Sequence, residues 1–109
     1  MRLVALLLVA ACASTPAAPP PPGTLGMSIH FPRAANGEWM SVCGVKDGSP
    51  AAAAGIRLQD VIVAVNGRPI REAGEDAWLL YFRALRTGDR VVFTVAREGA
   101  NRDLTLVAR

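Results

Sequence analysis

The chain has 109 residues, a formal net charge of +3 at pH 7, and 51% hydrophobic against 19% charged residues. That fits one small globular domain behind an apolar leader, and excludes both a disordered chain and a large multidomain enzyme. Two cysteines and one histidine exclude a disulfide scaffold and a Cys/His zinc site, and the basic residues form no run or stripe of the kind nucleic-acid binding needs.

The leader comes first. Met1 and Arg2 supply a positive start, residues 3–9 are an apolar run, and Ala10 and Ala11 are small residues just before Cys12. This is the three-part plan of a secretory signal, and its apolar run is far shorter than the roughly 20 residues that cross a bilayer. The segment Val9-Ala10-Ala11-Cys12 resembles the bacterial lipobox. That resemblance implies cleavage after Ala11, diacylglycerol on the Cys12 thiol and acylation of the new amine. Residues 1–11 are then a signal peptide, residues 12–22 a lipidated cysteine and Pro/Ala tether, and residues 23–109 the folded domain. Several acyl chains make membrane residence stable, and Pro19 to Pro22 favour an extended tether. Ala13 stands where inner-membrane lipoproteins carry aspartate, so the expected place is the outer membrane, facing the periplasm. A plain cleaved signal, leaving a secreted or soluble periplasmic domain, is the alternative. Cys43 is then without an intrachain partner and reads as a small, half-buried strand residue.

In the folded part, residues 25–31 alternate apolar positions at Leu25, Met27, Ile29 and Phe31, the period of a strand with one buried face. Pro32 ends it, and a loop containing Asn36-Gly37 leads to a second strand over residues 39–45. Ser49 is placed to cap a short helix with Pro50 at its first position, residues 51–54 as its body and Gly55 as its stop. Residues 60–66 are a β-branched strand closed by the turn pair Asn66-Gly67, with a brief strand over residues 68–70. Residues 77–86 form the longer helix. A turn at Thr87-Gly88-Asp89 leads to a strand over residues 91–97, a hairpin loop marked by Gly99 and Asn101, and a final strand over residues 104–107. The sum is a mostly β domain with two helices (α+β): a small, partly open antiparallel barrel or sandwich capped by one short and one longer helix.

Three stretches then carry a family resemblance: Thr24-Leu25-Gly26-Met27-Ser28-Ile29; the long run from Gly48-Ser49-Pro50-Ala51 through Ala54-Gly55-Ile56 to Asp60-Val61-Ile62 and Val65-Asn66-Gly67; and Gly88-Asp89-Arg90-Val91 leading to Thr94-Val95-Ala96-Arg97-Glu98-Gly99. Together they resemble a PDZ domain of the type appended to bacterial periplasmic proteases and secretion proteins. Two positions depart from the pattern. Gln59 stands where the family usually has a left-handed glycine, at a cost of about 1 kcal/mol, and Thr24 replaces the first loop glycine. The polyproline segment replaces the usual first strand, so the C-terminal strand is expected to fill that edge.

The resemblance implies a non-enzymatic module that binds apolar C-termini or exposed strands of envelope proteins by strand addition. Thr24, Leu25, Gly26 and Met27 would form the carboxylate-binding loop, with backbone N–H donors from the last three. Ser28, Ile29 and His30 would pair with the peptide. Leu25, Met27, Ile29, Trp78, Phe82 and Leu85 would line the hydrophobic pocket: Trp78, Phe82 and Leu85, spaced four and three apart, form one helix stripe, and the resemblance of Ala84-Leu85-Arg86 to the family's helix end implies that this stripe faces the groove. The same stripe facing the core is the other reading. With no histidine at the helix start, the groove is expected to prefer an apolar residue two before the terminus. A scaffold role, docking through the sheet edge without reading a C-terminus, is the second functional reading. His30 with Ser28 or Ser41 would need an Asp brought together with them in space, which nothing in the sequence indicates, and Asp60 and Asp89 sit in structural turns, so no enzyme activity is expected. Neither metal nor other cofactor is implied. The expected partners are envelope proteins, and the membrane through the N-terminal lipid.

Overall fold

The computed structural model describes residues 20–109, so the expected leader, the lipid attachment at Cys12 and most of the tether lie outside the described residues. Alternation of Met27 and Ile29 with Ser28 and His30 produces strand β1 (Met27–His30), half-buried on one face and exposed on the other. A 3-10 turn over Arg33–Ala35, closed by Asn36 at φ 51°, leads to β2 (Met40–Val45). Helix α1 (Pro50–Ala54) begins as its sequence dictates: Ser49 Oγ accepts from the Ala52 N–H at 3.2 Å, Pro50 takes the first turn, and Gly55 closes the helix at φ 94°. Strands β3 (Val61–Val65) and β4 (Arg68–Pro69) are joined by Asn66 and Gly67, both left-handed, as a two-residue hairpin requires. Helix α2 (Glu75–Arg83) follows, then β5 (Arg90–Arg97) and β6 (Ala100–Val107).

The strands make one antiparallel sheet in the order β1-β2-β3-β5-β6, with β4 paired to β3. The sheet does not close on itself through β1 and β6. Instead Thr24 and Arg109 exchange two backbone hydrogen bonds of 2.9 and 3.1 Å, so the C-terminal end runs beside the segment that enters β1. Phe93, Met40, Ile62, Val42, Val65, Ile70 and Leu106 fill the interior almost without exposure.

Besides shifts of one or two residues at other strand ends, α2 and the final strand differ from the sequence reading. Helix α2 starts at Glu75 rather than Ala77, because Gly74 caps it and accepts from the Trp78 N–H at 3.1 Å. It ends at Arg83 rather than Arg86: Ala84 N–H is shared between the Leu80 and Tyr81 carbonyls and Leu85 N–H reaches Phe82 O, a tightened last turn. The final strand starts at Ala100, since Glu98 (φ 50°) and Gly99 (φ 79°) complete the hairpin turn alone and the register runs unbroken from Arg97–Ala100 to Arg90–Val107. The tether, too, is engaged before residue 23: Pro21 O accepts from Thr87 N–H at 2.9 Å, and Pro22 bridges to Arg86.

Asp60 anchors the turn between α1 and β3. Its carboxylate, nearly buried, accepts from the Arg57 N–H at 2.8 Å and from the Arg97 guanidinium at 2.9 and 2.5 Å. Burial alone would raise its pKa, but the Arg97 and Arg57 hydrogen bonds and charges outweigh it and hold the carboxyl below its ordinary range. Just before it Gln59 adopts φ 68°, the left-handed conformation that the glutamine-for-glycine departure implied.

Candidate functional site

The segment that enters β1 is shaped by one glycine. Gly26 sits at φ 75°, and a Cβ there would lie 2.1 Å from the Ser49 Cβ, so only glycine lets the loop press against the cap of α1. The carbonyls of this loop are turned inward: Leu25 O accepts from Ala51 N–H at 2.9 Å and Gly26 O from Lys46 N–H at 2.8 Å. The Leu25 and Gly26 N–H groups have no acceptor among the described residues. A loop with its carbonyls fixed and its N–H groups free is a small anion nest.

β1 continues the same edge. Among the described residues it is hydrogen-bonded only to β2, and its other side has no partner there. Because the Gly26 carbonyl points toward β2, the alternation of an antiparallel pair turns the Met27 backbone groups outward to that open edge. Ser28 and His30 side chains are exposed, whereas Met27 and Ile29 are half-buried on the inner face. No hydrogen bond joins His30 to Ser28 or Ser41 among the described residues, although His30 and Ser41 are cross-strand neighbours. No group of three potential metal ligands occurs among the described residues.

Between β1 and α2 lies an open groove of about 700 Å³. Leu25, Met27 and Ile29 form its strand wall, Leu79, Phe82 and Arg83 its helix wall, and Leu85 and Phe93 its floor; Lys46 stands at the rim. All of the expected pocket residues meet here except one. Trp78 is 4% exposed and lies in the core, which corrects its placement on the groove. Its indole N–H donates to Ile70 O at 2.8 Å, a buried bond that holds the ring in the core. Phe82 bridges the two environments, stacked on Trp78 at 6.4 Å and tilted against Phe93 at 5.8 Å. Asn66 Nδ2 donates to Tyr81 Oη at 2.8 Å and Asn66 Oδ1 accepts from Val92 N–H at 2.9 Å, which fixes the roll of α2 from its other side.

Leu79, Arg83 and Phe93 were not among the expected site residues. Trp78-Leu79-Leu80-Tyr81-Phe82 is apolar throughout, so periodicity selects no single face, and nothing local marks Phe93 as reaching under the helix. Arg83 lies in the last turn of α2, where its charge offsets the negative end of the helix dipole. Together with Lys46 it places positive charge about the groove.

The family model described as PDZ domain matches residues 24–107. Over 72 residues, 66% of the chain, the sequence is 38% identical to the magnetosome formation protease MamE of Paramagnetospirillum magneticum (strain ATCC 700264 / AMB-1). Over 68 residues, 62% of the chain, it is 35% identical to the serine protease Do-like HtrB of Bacillus subtilis (strain 168). These alignments span only 10% and 15% of those two relatives. Among solved structures, the HtrA-type protease AlgW with tripeptide superposes with a TM-score of 0.64 at 22% identity, over 80% of this chain and 31% of that one. The HtrA3 PDZ domain bound to the phage-derived ligand FGRWV gives a TM-score of 0.64 at 19% identity, over 80% and 85% of the two chains. The loop, the open strand edge and the groove therefore sit on a fold shared with these proteins, and the chain belongs to the PDZ domain family.

Proposed function

We propose that the protein is a non-enzymatic, lipid-anchored peptide-binding module of the bacterial envelope, which takes apolar C-termini by adding them as a strand to β1. One observation carries the reading: the free N–H groups of Leu25 and Gly26 open onto the same apolar groove as the unpaired edge of β1. A peptide running antiparallel to β1 brings its terminal carboxylate to those N–H groups, where each charge-assisted hydrogen bond contributes about 1.5–3 kcal/mol. The backbone groups of Met27 then pair with the peptide main chain, independent of its sequence. The terminal side chain enters between Leu25, Met27, Phe82, Leu85 and Phe93, and the side chain two residues earlier faces Leu79. Both positions favour apolar residues, because a hydroxyl buried there without a partner costs about 1–3 kcal/mol. Two of the structural neighbours were solved with peptides, one of them ending in valine, which supports this mode.

Peptides ending in a free carboxylate and their amidated counterparts test it by titration calorimetry. The reading expects a loss of at least about tenfold on amidation. Equal affinity for the two would instead favour a scaffold role that docks through the sheet edge without reading a terminus. The anchor is tested separately. Cell-envelope protein labelled with an acyl-chain analogue should carry the label, and Cys12→Ala should lose both label and membrane association. An unlabelled native protein sinks the lipid anchor and favours a secreted or soluble periplasmic domain.

A further inference from the structure

The groove between β1 and α2 reaches Ile29 on its strand side. Beyond β1 lies a second cavity of about 450 Å³, walled by Phe31, Pro32, Ile70 and Ala73 with the polar Arg33, Asn36 and Glu75 also lining it. Its position follows from the direction of α2. Gly23 N–H bonds Leu85 O at 3.0 Å, so the helix C-terminus lies beside the loop, while Gly74 and Glu75 at the helix start border the second cavity together with Phe31. Helix and strand are thus antiparallel, and the two cavities lie at opposite ends of α2.

Ordinary repeat lengths set the register. From Arg83 back to Glu75 the helix rises roughly 12 Å at ~1.5 Å per residue, and an extended peptide covers that in about four residues at ~3.3 Å each. Side chains of a strand alternate, so residues 0, −2 and −4 counted from the terminus face the same way. Phe31 continues the inner face of Met27 and Ile29 by the same period. We propose that the second cavity is an upstream subsite that takes a large apolar side chain, preferably aromatic, four residues before the C-terminus of the ligand. The inference rests on the terminal-carboxylate reading above and extends it. Arg33 and Glu75 carry opposite charges, so the subsite selects by apolar surface and shape and not by net charge.

The test uses the full chain and seven-residue peptides with one shared apolar C-terminal tripeptide, a free carboxylate, and Phe, Ala or Asp at position −4. Titration should show the Phe peptide binding on the order of tenfold tighter than the Ala peptide, with the Asp peptide weakest. Ala73→Leu, which fills the cavity, and Phe31→Ala, which removes its wall, should each erase the Phe preference while the Ala peptide keeps its affinity; thermal melts check that each variant is folded. Equal affinity of the Phe and Ala peptides for the unaltered protein overturns the subsite without needing either variant. So does a preference that survives in both folded variants. Carboxylate-dependent binding that is indifferent to position −4 overturns the subsite alone, whereas no binding of any free-carboxylate peptide overturns the underlying reading and the subsite with it.

Discussion

The two walls of the groove are built by different means. The strand wall is held by its backbone: Gly26 lies against Ser49, the Leu25 and Gly26 carbonyls are bonded to Ala51 and Lys46, and β1 is paired to β2. The helix wall is held by side chains. Trp78 is rooted on Ile70 O, Tyr81 on Asn66, and Phe82 rests between Trp78 and Phe93. A wall made of backbone hydrogen bonds is set by local sequence, whereas a wall made of packed rings is set by whatever lies beneath it.

The largest expected effect falls on the core beneath the helix wall. Trp78→Ala removes a fully packed ring and its hydrogen bond, and should lower the stability measured by denaturant titration by about 3–5 kcal/mol. The peptide affinity of the fraction that remains folded should change little, since Trp78 does not border the groove. Gly26→Ala attacks the other wall. Left-handed strain and the clash with Ser49 together should cost about 3 kcal/mol, and here affinity and melting temperature should fall together, because the same loop carries the free N–H groups.

The Asp60–Arg97 pair lies outside both walls and serves as the control. Arg97→Met leaves a buried carboxylate without its main partner and should destabilise by about 3 kcal/mol. The sign of its pH dependence follows from linkage. A folded pKa below the unfolded value stabilises above the ordinary carboxylate range, and that contribution is lost as pH falls through the folded pKa. Denaturation followed from pH 7 down to pH 3 should therefore show the native protein losing stability, and Arg97→Met should lose less of it. An identical acid slope in the two proteins would remove Arg97 as the cause.

Smaller effects sharpen the contrast. Leu79→Ala should weaken binding of an apolar-ended peptide by about 1 kcal/mol while leaving the melting temperature nearly unchanged, the reverse of Trp78→Ala. Comparable losses of stability in the two variants would mean that the helix wall is a single packing unit. Gln59→Gly, at φ 68° and exposed, should raise stability by about 0.5–1 kcal/mol, the left-handed strain relieved less the extra backbone entropy of glycine, with no change in affinity.

Sequence alone determined the parts whose causes are local. The alternation of Met27, Ser28, Ile29 and His30 set the faces of β1, the Ser49-Pro50 pair and Gly55 bounded α1, and the turn pair Asn66-Gly67 closed its hairpin. The motifs placed the whole in the PDZ family and pointed to the Leu25-Gly26-Met27 loop. Gln59 was readable as a left-handed residue because a glycine pattern stood behind it. What only tertiary structure decided was the roll and extent of α2. Five consecutive apolar residues, Trp78 to Phe82, leave several faces equally able to be buried, and helical periodicity cannot choose among them. The choice fell to partners distant in sequence: the Ile70 carbonyl, the Asn66 amide and the Phe93 ring. They drew Trp78 into the core and turned Leu79 and Arg83 toward β1. Hydrogen bonds and packing between elements are long-range facts, and they settle which side chains a groove presents only once the sheet beneath it has formed.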